Sequence, residues 1–304
     1  MKHVELDTGL VVAGHGRHYV VETPDGRRLI CHPRGKKSDC VVGDRVRWQA
    51  TLSNTGDEGV IEAIEPRRNL LFRQDDFRTK SFAANIDQLL VLVATEPVFS
   101  ESQLSRSLIA AESADIPARI LLNKVDLPGA PTARERLAPY REMGYEVIEA
   151  SLKAEADAAR TRLAPLLQGK ATLVLGPSGT GKSTLINLMV PDARAQVGDI
   201  SQALNSGRHT TTTTQWYWLD SERESALIDS PGFQEFGLRQ IAPAELAAYM
   251  PDIRAHAKGC RFYNCTHLHE PGCAVLAAVE AGRIAASRHR IYREIHEELD
   301  RPTY

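Results

Sequence analysis

The strongest constraint on this chain is the octapeptide GPSGTGKS at residues 176–183, which follows the apolar run TLVL and leads into STLINLMV. Glycines let such a loop curl so that backbone N–H groups face a phosphate chain, and the N-terminus of the next helix adds partial positive charge. In this pattern the Lys182 ammonium reaches the β- and γ-phosphates, and the Ser183 hydroxyl binds Mg²⁺. The expected phosphate contacts are Gly176, Pro177, Ser178, Gly179, Thr180, Gly181, Lys182, Ser183 and Thr184.

From Asn85 onward, apolar β segments alternate with helical segments. The predicted strands include DQLLVLVA, ARILLNKVD, YEVIEAS and ATLVLG, and the first predicted helix opens with Ser100 and Gln103 at the spacing of a capping box. Near-continuous Val and Leu strands separated by helices indicate a parallel sheet that is covered on both faces. Ligands bind at the carboxyl ends of the strands in such sheets, which is where the phosphate loop falls.

The tetrapeptide NKVD, formed by Asn123, Lys124, Val125 and Asp126, directly follows the apolar strand ARILL. At this position the aspartate can accept from the N1–H and exocyclic amine of guanine, a donor pair that adenine lacks. Asn123 can bond the other edge of the base, and the Lys124 stem can cover the ring. Paired contacts of this kind discriminate between bases by about 1–3 kcal/mol. The next strand ends in Ser151 and Leu152, where a guanine site supplies a backbone contact to O6.

Two further segments follow the phosphate loop. ESALIDSPG is a predicted strand that ends in Asp229-x-x-Gly232, where the carboxylate can hold Mg²⁺ through water and the Gly232 N–H can sense a γ-phosphate. Between the phosphate loop and ESALIDSPG lies GRHTTTTT at residues 207–214, which can offer a threonine to Mg²⁺ or form a solvated loop. The motifs are therefore those of a guanine-nucleotide enzyme in a cyclically rotated order, with the base reader ahead of the phosphate loop.

Residues 1 to about 70 have a different pattern. Short runs such as GLVVAG, HYVVET, RRLICH, DRVRWQA and EGVIEAIE alternate apolar and polar residues, and turn signals at Pro24-Asp25-Gly26, Pro33-Arg34-Gly35 and Asn54-Thr55-Gly56 separate them. About five strands at this spacing predict a small antiparallel barrel of the OB type. After Pro66 the polar, charged segment RRNLLFRQDDFRTKSF is interpreted as a linker or a strap across the next domain.

The cysteines fall into two groups. Cys31 and Cys40 are isolated, whereas Cys260, Cys265 and Cys273 lie close together with His267. Three thiolates and one imidazole within a short loop suffice for a closed, structural Zn²⁺ site, although reduced cysteines in a core remain the alternative. His269 is the less favoured substitute for His267.

Composition limits the partners and the location. Lys and Arg number 37 and Asp and Glu 39 among 304 residues, so the net charge of −2 provides no overall attraction to nucleic acid or membranes. The N-terminal MKHVELDTGL lacks an apolar leader, and no run approaches the roughly 18 apolar residues of a membrane span. We expect a cytoplasmic protein, without membrane attachment, that works as a monomer.

With these motifs in this order, the chain resembles the circularly permuted GTPases that depend on the small ribosomal subunit and assist its late maturation. The resemblance covers the barrel, the ANIDQLL strand, the series NKVD, GPSGTGKS, GRHTTT and DSPG, and the Cys/His tail. It implies GTP hydrolysis to GDP and phosphate stimulated by small subunits, contact with ribosomal RNA, one structural Zn²⁺, and Mg²⁺ bound with GTP. It also places the magnesium-binding threonine at Thr211.

The expected fold is α/β: an N-terminal OB-fold barrel that binds the ribosome over residues 1–70, a circularly permuted P-loop GTPase domain over 71–240 and a helical zinc-binding domain over 241–304. Two local basic patches are candidates for RNA contact. One is the loop that carries Arg34, Lys36 and Lys37, and the other is the C-terminal helical region with Arg283, Arg288, Arg290 and Arg293. Val275, Val279, Ile284, Ile291 and Ile295 form the predicted apolar faces of two helices around Gly282.

Catalysis needs a group that orients water. Phe233 directly follows Gly232, where many GTPases carry a glutamine, and Gln234 lies one position further on. Because an apolar side chain cannot position water, His209 is the hypothesis for this role. Lys182 and Thr211 complete the predicted catalytic set through their contacts with the phosphates and Mg²⁺. Two other functions stay open at this stage: a P-loop ATPase or small-molecule kinase in which NKVD is incidental, and a non-catalytic RNA-binding module.

Overall fold

The computed structural model describes residues 6–35, 39–51, 58–190, 213–233 and 235–302. Its N-terminal part is a barrel of five strands: β1 (Asp7–His15), β2 (His18–Glu22), β3 (Arg28–Pro33), β4 (Arg45–Ala50) and β5 (Glu58–Ile64). β1 pairs with both β2 and β4, while β3 and β5 run parallel, so the sheet closes in the order β1-β2-β3-β5-β4-β1. The predicted OB-like barrel is confirmed.

The barrel core is built from the inward positions of these alternating strands. Val11, Val21, Cys31, Val46 and Trp48 are buried together. A Cβ on Gly59 would lie 2.7 Å from the Trp48 ring and 2.9 Å from the Cys31 sulfur, so only glycine leaves room for this packing. Burial raises the pKa of the Cys31 thiol to about 12, and none of the five cysteines forms a disulfide.

The charged segment after the barrel is a hairpin, not a linker. Strands β6 (Leu70–Gln74) and β7 (Thr79–Ala84) pair antiparallel. Its turn is closed by the Asp75 carboxylate, which accepts from the Phe77 and Arg78 backbone N–H groups at 3.0 and 2.8 Å. The hairpin packs as a strap on the segment that follows Gly232, where the Phe82 and Phe236 rings stack with centroids 5.8 Å apart.

The central sheet contains β8 (Gln88–Ala94), β9 (Ala118–Asn123), β10 (Val147–Ala150), β11 (Ala171–Leu175), β12 (Gln215–Trp218) and β13 (Ala226–Asp229). Its order is β10-β9-β8-β11-β13-β12, parallel except for β12. The helices of this domain are α1 (Glu101–Ser113), α2 (Ala130–Glu142), α3 (Ala156–Leu167) and α4 (Lys182–Met189). Helices cover both faces, so all seven residues of β8 are buried. The predicted cap is present, because the Ser100 hydroxyl accepts from the Gln103 N–H at 3.3 Å.

The barrel and the central sheet are joined edge to edge. β1 pairs antiparallel with β12 at Ala13 and Gln215, which makes one continuous eleven-stranded sheet. Near this junction the Trp218 indole N–H donates to the Glu22 carboxylate at 2.7 Å. Backbone pairing and a partly buried side-chain hydrogen bond connect the barrel to the central sheet.

The C-terminal region consists of a 3₁₀ helix (Pro243–Tyr249) followed by α5 (Pro251–Ala257), α6 (Ala274–Glu280) and α7 (Ala286–Asp300). The two helical stretches predicted around Gly282 are confirmed, and Gly282 ends the first of them with a φ of 70°. The predicted apolar positions are buried at Val275, Ile284, Ile291 and Ile295, and partly buried at Val279. No helix among the described residues is long and apolar enough to cross a membrane.

One member of the predicted basic patch was wrongly placed on the surface. Arg288 is only 2% exposed, and its Nε donates to the Asp252 carboxylate at 2.8 Å. It also donates to the Ser105 hydroxyl at 2.6 Å and lies over the Tyr140 ring at 5.1 Å, so it fastens α7 to α1 and α2. The Arg290 and Arg293 side chains are exposed, but each lies within 4.0 Å of a glutamate one helical turn later.

Candidate functional site

A cavity of about 990 Å³ opens at the carboxyl ends of the central strands. The phosphate loop, the NKVD segment, the Ser151 loop and the DSPG segment meet there although they are far apart in the chain. The cavity is lined by Asn123, Lys124, Asp126, Leu127, Ser151, Leu152, Lys153, Ala154, Ser178, Gly179, Gly181, Lys182, Ser183, Thr184, Asp229, Ser230 and Gly232. Its volume is within the range of small-molecule sites.

The phosphate loop requires its glycines for three distinct reasons. A Cβ on Gly176 would lie 2.3 Å from the Leu92 carbonyl oxygen of the adjacent strand. Gly179 and Gly181 adopt φ values of 82° and 109°, which L side chains rarely occupy. A Cβ on Gly181 would also lie 2.3 Å from Asn123 Nδ2. The loop thereby turns directly into α4, whose first residue is Lys182.

Lys182 lines the cavity from the start of α4. Its ammonium donates to the Gly176 and Pro177 carbonyl oxygens at 2.8 and 2.9 Å, within the phosphate loop itself. Burial lowers the pKa of Lys182, and the nearby Asp229 carboxylate partly opposes this shift. A phosphate chain would offer this half-buried cation stronger, charged acceptors than the two carbonyl oxygens.

Asn123 holds three loops together. Its Nδ2 donates to the Thr180 carbonyl oxygen at 2.8 Å, and its Oδ1 accepts from the backbone N–H groups of Lys124 at 2.8 Å and Leu152 at 3.0 Å. The side chain is 3% exposed, so these hydrogen bonds are shielded from water. The asparagine therefore positions the phosphate loop and the base-reading loops, and one Nδ2 hydrogen is not used in these contacts.

The base-reading side of the cavity has the polarity that guanine needs. The Asp126 side chain is exposed to the cavity, while its backbone N–H donates to the Ser151 hydroxyl at 3.1 Å. The Lys124 ammonium reaches across to the Gly179 carbonyl oxygen at 3.0 Å, which stretches the lysine stem between the two loops. Ser151 and Leu152 are buried behind them at 2% exposure. The carboxylate is thus available to a ligand, and the loop that carries it is fixed.

The part of the cavity predicted to hold Mg²⁺ combines one hydroxyl and one carboxylate. Ser183 lies in the first turn of α4, and Asp229 ends β13 at 5% exposure. Gly232 follows closely, since a Cβ there would lie 3.2 Å from the Lys182 ammonium. Oxygen donors of this type suit a hard cation such as Mg²⁺. Ser183 and Asp229 therefore fit the group that the motifs imply.

The remaining predicted residues differ in whether they line the cavity. Val125, Gly176, Pro177 and Thr180 do not line the cavity: Thr180 is buried with its hydroxyl on the Pro177 carbonyl oxygen at 2.9 Å, and Val125 packs on the core. Leu127, Ala154 and Ser230 line it without having been predicted, and each directly adjoins a predicted motif or lies within one. Lys153, which directly follows Ser151 and Leu152, lines it as well. His209, Thr211 and Gln234 lie outside the described residues.

A second cluster lies in the C-terminal region. The ligand atoms of Cys260, Cys265, His267 and Cys273 all fall within 4.8 Å of one another. The Cys260 and Cys273 sulfurs are 3.8 Å apart, and His267 Nδ1 lies 3.4 and 3.5 Å from them. A tetrahedron with Zn–S bonds of about 2.3 Å has S–S edges of about 3.8 Å, so the residues fit a tetrahedral metal ion. His267 rather than His269 belongs to the cluster.

The loop that carries this cluster is held by Glu270. Burial would raise the pKa of this carboxyl, but hydrogen bonds from Thr266 and from the loop backbone outweigh burial and hold it well below its usual range. The His267 carbonyl oxygen also contacts His289 Nε2 of α7 at 2.8 Å, and the Tyr292 hydroxyl donates to the Thr266 carbonyl oxygen at 2.8 Å. The cluster is therefore packed against α7.

The geometry around Asp126 generates a prediction about base choice. Asp126→Asn replaces one of the two carboxylate acceptors for the guanine N1–H and amine with an NH₂ donor, so GTP binding should weaken by about 1–3 kcal/mol, while xanthine nucleotide should bind better because the amide offers a donor to its extra carbonyl. Competition of GTP and xanthosine triphosphate against a fluorescent GDP measures both effects. Unchanged GTP preference in the variant would show that Asp126 does not read the base.

The cysteine cluster predicts one bound zinc ion per chain. Cys265→Ser should abolish stoichiometric zinc and lower the melting temperature, because structural zinc contributes on the order of 10 kcal/mol to local folding. Elemental analysis and thermal melting measure these two quantities. Cys31→Ser, which changes a buried cysteine outside the cluster, is the matched control and should keep its zinc. Full zinc content in Cys265→Ser would contradict the assignment.

Comparison with known proteins agrees with the rotated order of motifs. A family model described as RsgA GTPase matches residues 64–239. The small ribosomal subunit biogenesis GTPase RsgA of Variovorax paradoxus (strain S110) is 62% identical over 305 residues, covering 98% of this chain and 94% of that protein. The protein of the same name from Burkholderia pseudomallei (strain 1710b) is 56% identical over 296 residues, covering 96% and 93%.

Two solved structures share the whole architecture. YjeQ from Thermotoga maritima matches with a TM-score of 0.74 and 31% identity, covering 98% of this chain and 100% of that one. YloQ, described as a circularly permuted GTPase, matches with a TM-score of 0.70 and 28% identity, covering 100% and 99%. The permuted fold and the motifs thus point to one family of GTP-hydrolysing enzymes. The chain belongs to the RsgA GTPase family.

Proposed function

We propose that this GTPase binds the small ribosomal subunit in the cytoplasm and assists its late maturation, hydrolysing GTP to GDP and phosphate with turnover that the particle stimulates. The observation that carries the proposal is the single cavity in which all the described motifs of the permuted series meet. Relatives that are 62% and 56% identical are named for small ribosomal subunit biogenesis, which supports the choice of partner. Family membership disfavours both the ATPase or kinase and the non-catalytic alternatives.

Two metal ions belong to this proposal. Mg²⁺ would accompany GTP, bound by the hydroxyls of Ser183 and Thr211 and by Asp229 through water, and it would supply positive charge to the β- and γ-phosphates. One Zn²⁺ would be held by Cys260, Cys265, His267 and Cys273 as a structural ion, because four protein ligands leave no open position. In the phosphate site Lys182 adds a fixed cation, and backbone N–H groups of the phosphate loop orient the phosphate chain.

The proposed catalytic group is His209. Phe233, the residue next to Gly232, is 4% exposed and packs against Phe236 with ring centroids 5.3 Å apart, so its side chain is held in the core, away from any attacking water. The described part of the cavity lining holds no histidine, and its acidic members have other proposed roles in binding the base and Mg²⁺. His209 would orient the attacking water when the protein is bound to the ribosomal particle.

We propose a division of labour among three regions: residues 1–70 bind RNA, 71–240 bind and hydrolyse GTP, and 241–304 hold zinc. The barrel is the stronger candidate for RNA contact, since Arg45 and Arg47 are exposed on it. Arg34 is also exposed but is paired with the Glu62 carboxylate, and Lys36 and Lys37 lie outside the described residues. Helix α7 contributes less positive charge than its sequence suggested, because Arg288 is buried and Arg290 and Arg293 face glutamates. Contact through α7 would therefore rest on few free cations.

Nucleotide state and the C-terminal region are proposed to be coupled through residues 235–239, just beyond Gly232. An isolated parallel β-bridge between Gln74 and Leu238 joins this segment to the hairpin. The Gln74 N–H donates to the Gly237 carbonyl oxygen at 3.2 Å, and the Arg239 N–H donates to the Gln74 carbonyl oxygen at 2.9 Å. A Cβ on Gly237 would lie 2.4 Å from the Gln74 oxygen, so glycine permits this approach.

The same segment is also attached to α7. Arg106 of α1 donates to the Phe236 carbonyl oxygen at 3.2 Å and to the Glu298 carboxylate at 3.1 Å. Arg239 donates to the carbonyl oxygens of Leu299 and Arg301 at 3.2 and 3.0 Å, at the end of α7. A γ-phosphate that draws Gly232 toward it would therefore pull on a segment fastened to the C-terminal helix, which is the proposed route of coupling.

The proposed function is tested by multiple-turnover GTP hydrolysis with and without purified small subunits. We expect particles to raise turnover in the wild type, and His209→Ala to lose most of that stimulation, on the order of 100-fold for a positioned water-orienting group, with GTP affinity unchanged. Lys182→Ala is the inactive control. Absence of stimulation in the wild type would refute the partner, whereas full stimulation of His209→Ala would refute only the role of the histidine.

A further inference from the structure

Gln215 is a buried polar residue with no place in the recognised motifs. It begins β12, where its backbone pairs with Ala13 of β1 on one side and with Asp229 of β13 on the other. The residue is 8% exposed, and its side-chain Nε2 is buried with no hydrogen-bond partner among the described residues. A buried donor without a hydrogen-bond partner destabilises the state in which it is unsatisfied, so a ligand-bound state that satisfies it would be favoured.

The side chain of Gln215 lies on the same face of the sheet as that of Asp229. In an antiparallel pair, directly opposite residues project to one face with Cβ atoms about 4.5–5.5 Å apart. Two residues further along β12, Tyr217 lies opposite Leu227, and both pack with Leu185 and Ile186 of α4. Because side chains alternate along a strand, Gln215 and Asp229 also face α4.

This face is the one that carries the proposed magnesium site. Helix α4 begins with Lys182 and Ser183, and Asp229 lies close enough to Lys182 to affect its pKa. Gln215 does not line the cavity, so its amide can reach the nucleotide site only through a neighbour. Because Gln215 of β12 lies directly opposite Asp229 of β13, this neighbour is the Asp229 carboxylate.

We propose that Gln215 is a positioning residue for Asp229. In the Mg²⁺–nucleotide state the Gln215 Nε2–H would donate to the Asp229 carboxylate. This hydrogen bond would fix the carboxylate so that its remaining lone pairs face a water molecule bound to Mg²⁺. A carboxylate offers about four acceptor sites, so one donor from the protein leaves the remainder for metal-bound water. Carboxylates at metal sites are commonly oriented by such hydrogen bonds. The proposal rests on the magnesium site of the proposed function.

The position of Gln215 is fixed from two sides. Its backbone is held between a strand of the barrel and a strand of the nucleotide domain, so neither neighbour leaves it free to shift along the sheet. Such support from rigid elements is what an orienting residue requires. A single glutamine therefore lies between the barrel and the carboxylate of the proposed magnesium site.

The test measures the release rate of N-methylanthraniloyl GDP as a function of free Mg²⁺. Gln215→Met keeps the length of the side chain and removes the donor. The Mg²⁺ midpoint is the concentration of free Mg²⁺ that slows GDP release half-maximally. We expect this midpoint to rise roughly 10-fold or more in Gln215→Met, as for other residues that orient metal ligands. The release rate in EDTA should not change. Gln215→Glu retains the shape but sets a second carboxylate against Asp229, so its midpoint should rise further.

Gln88→Met is the matched control. Gln88 is 3% exposed in the same sheet, and its Nε2 donates to the Thr172 hydroxyl at 2.7 Å and the Leu166 carbonyl oxygen at 2.9 Å, at the end of the sheet away from the cavity. This variant should lose thermal stability without a change in the Mg²⁺ midpoint. It separates a general loss of stability from a specific effect on Asp229.

An unchanged Mg²⁺ midpoint in folded Gln215→Met would overturn the proposal. If the melting temperature of this variant also rose above that of the wild type, the Gln215 amide would be an unsatisfied donor in every state. If Gln215→Met does not fold, the midpoint of Gln215→Glu decides in the same way. Failure of the magnesium assignment has a different signature: GDP release from the wild-type protein would then be independent of Mg²⁺.

Discussion

Parallel pairing of β8, β9, β11 and β13 is the constraint on which the site depends. Each strand leads into one motif or supporting loop at its carboxyl end, and the register of the sheet sets those ends side by side. The order of the strands in the chain does not matter to this arrangement, because the hydrogen bonds join strands and not sequence neighbours. A rotated sequence therefore builds the same cavity.

Within that frame, the buried carboxamide of Asn123 sets the distances between loops. It bonds to the phosphate loop at Thr180 and to the base-reading loops at Lys124 and Leu152. These loops carry Asp126 and Lys182, both of which line the cavity. The spacing of the side chains proposed to bind the nucleotide is therefore set by hydrogen bonds within the protein, which no ligand needs to form.

Much of this was accessible from the sequence. Alternating residues predicted the barrel, apolar strands between helices predicted the parallel sheet, and four motifs predicted the residues that meet at the cavity. The hairpin at residues 70–84 was missed because its polar turn, Asp75 to Arg78, resembles a linker when the partner segment around Gly237 is unknown. Periodicity likewise places Arg288 on a helix but cannot reveal that Asp252, 36 residues earlier, lies beside it. Gln215 carries no motif, and only the strand register brings it to Asp229.

Rotation of the motifs also changes the segment downstream of Gly232, the proposed γ-phosphate sensor, which now leads into residues 235–239 and then into the C-terminal region. The central claim is that this connection carries nucleotide state to the face that meets the particle. The direct measurement is the affinity for small subunits with a non-hydrolysable GTP analogue and with GDP, in the wild type and in Cys265→Ser. The account predicts tighter binding in the GTP-like state by roughly 5–150-fold, as for typical couplings of 1–3 kcal/mol, and a smaller difference in the variant. Equal affinities of the wild-type protein in the two nucleotide states would contradict it.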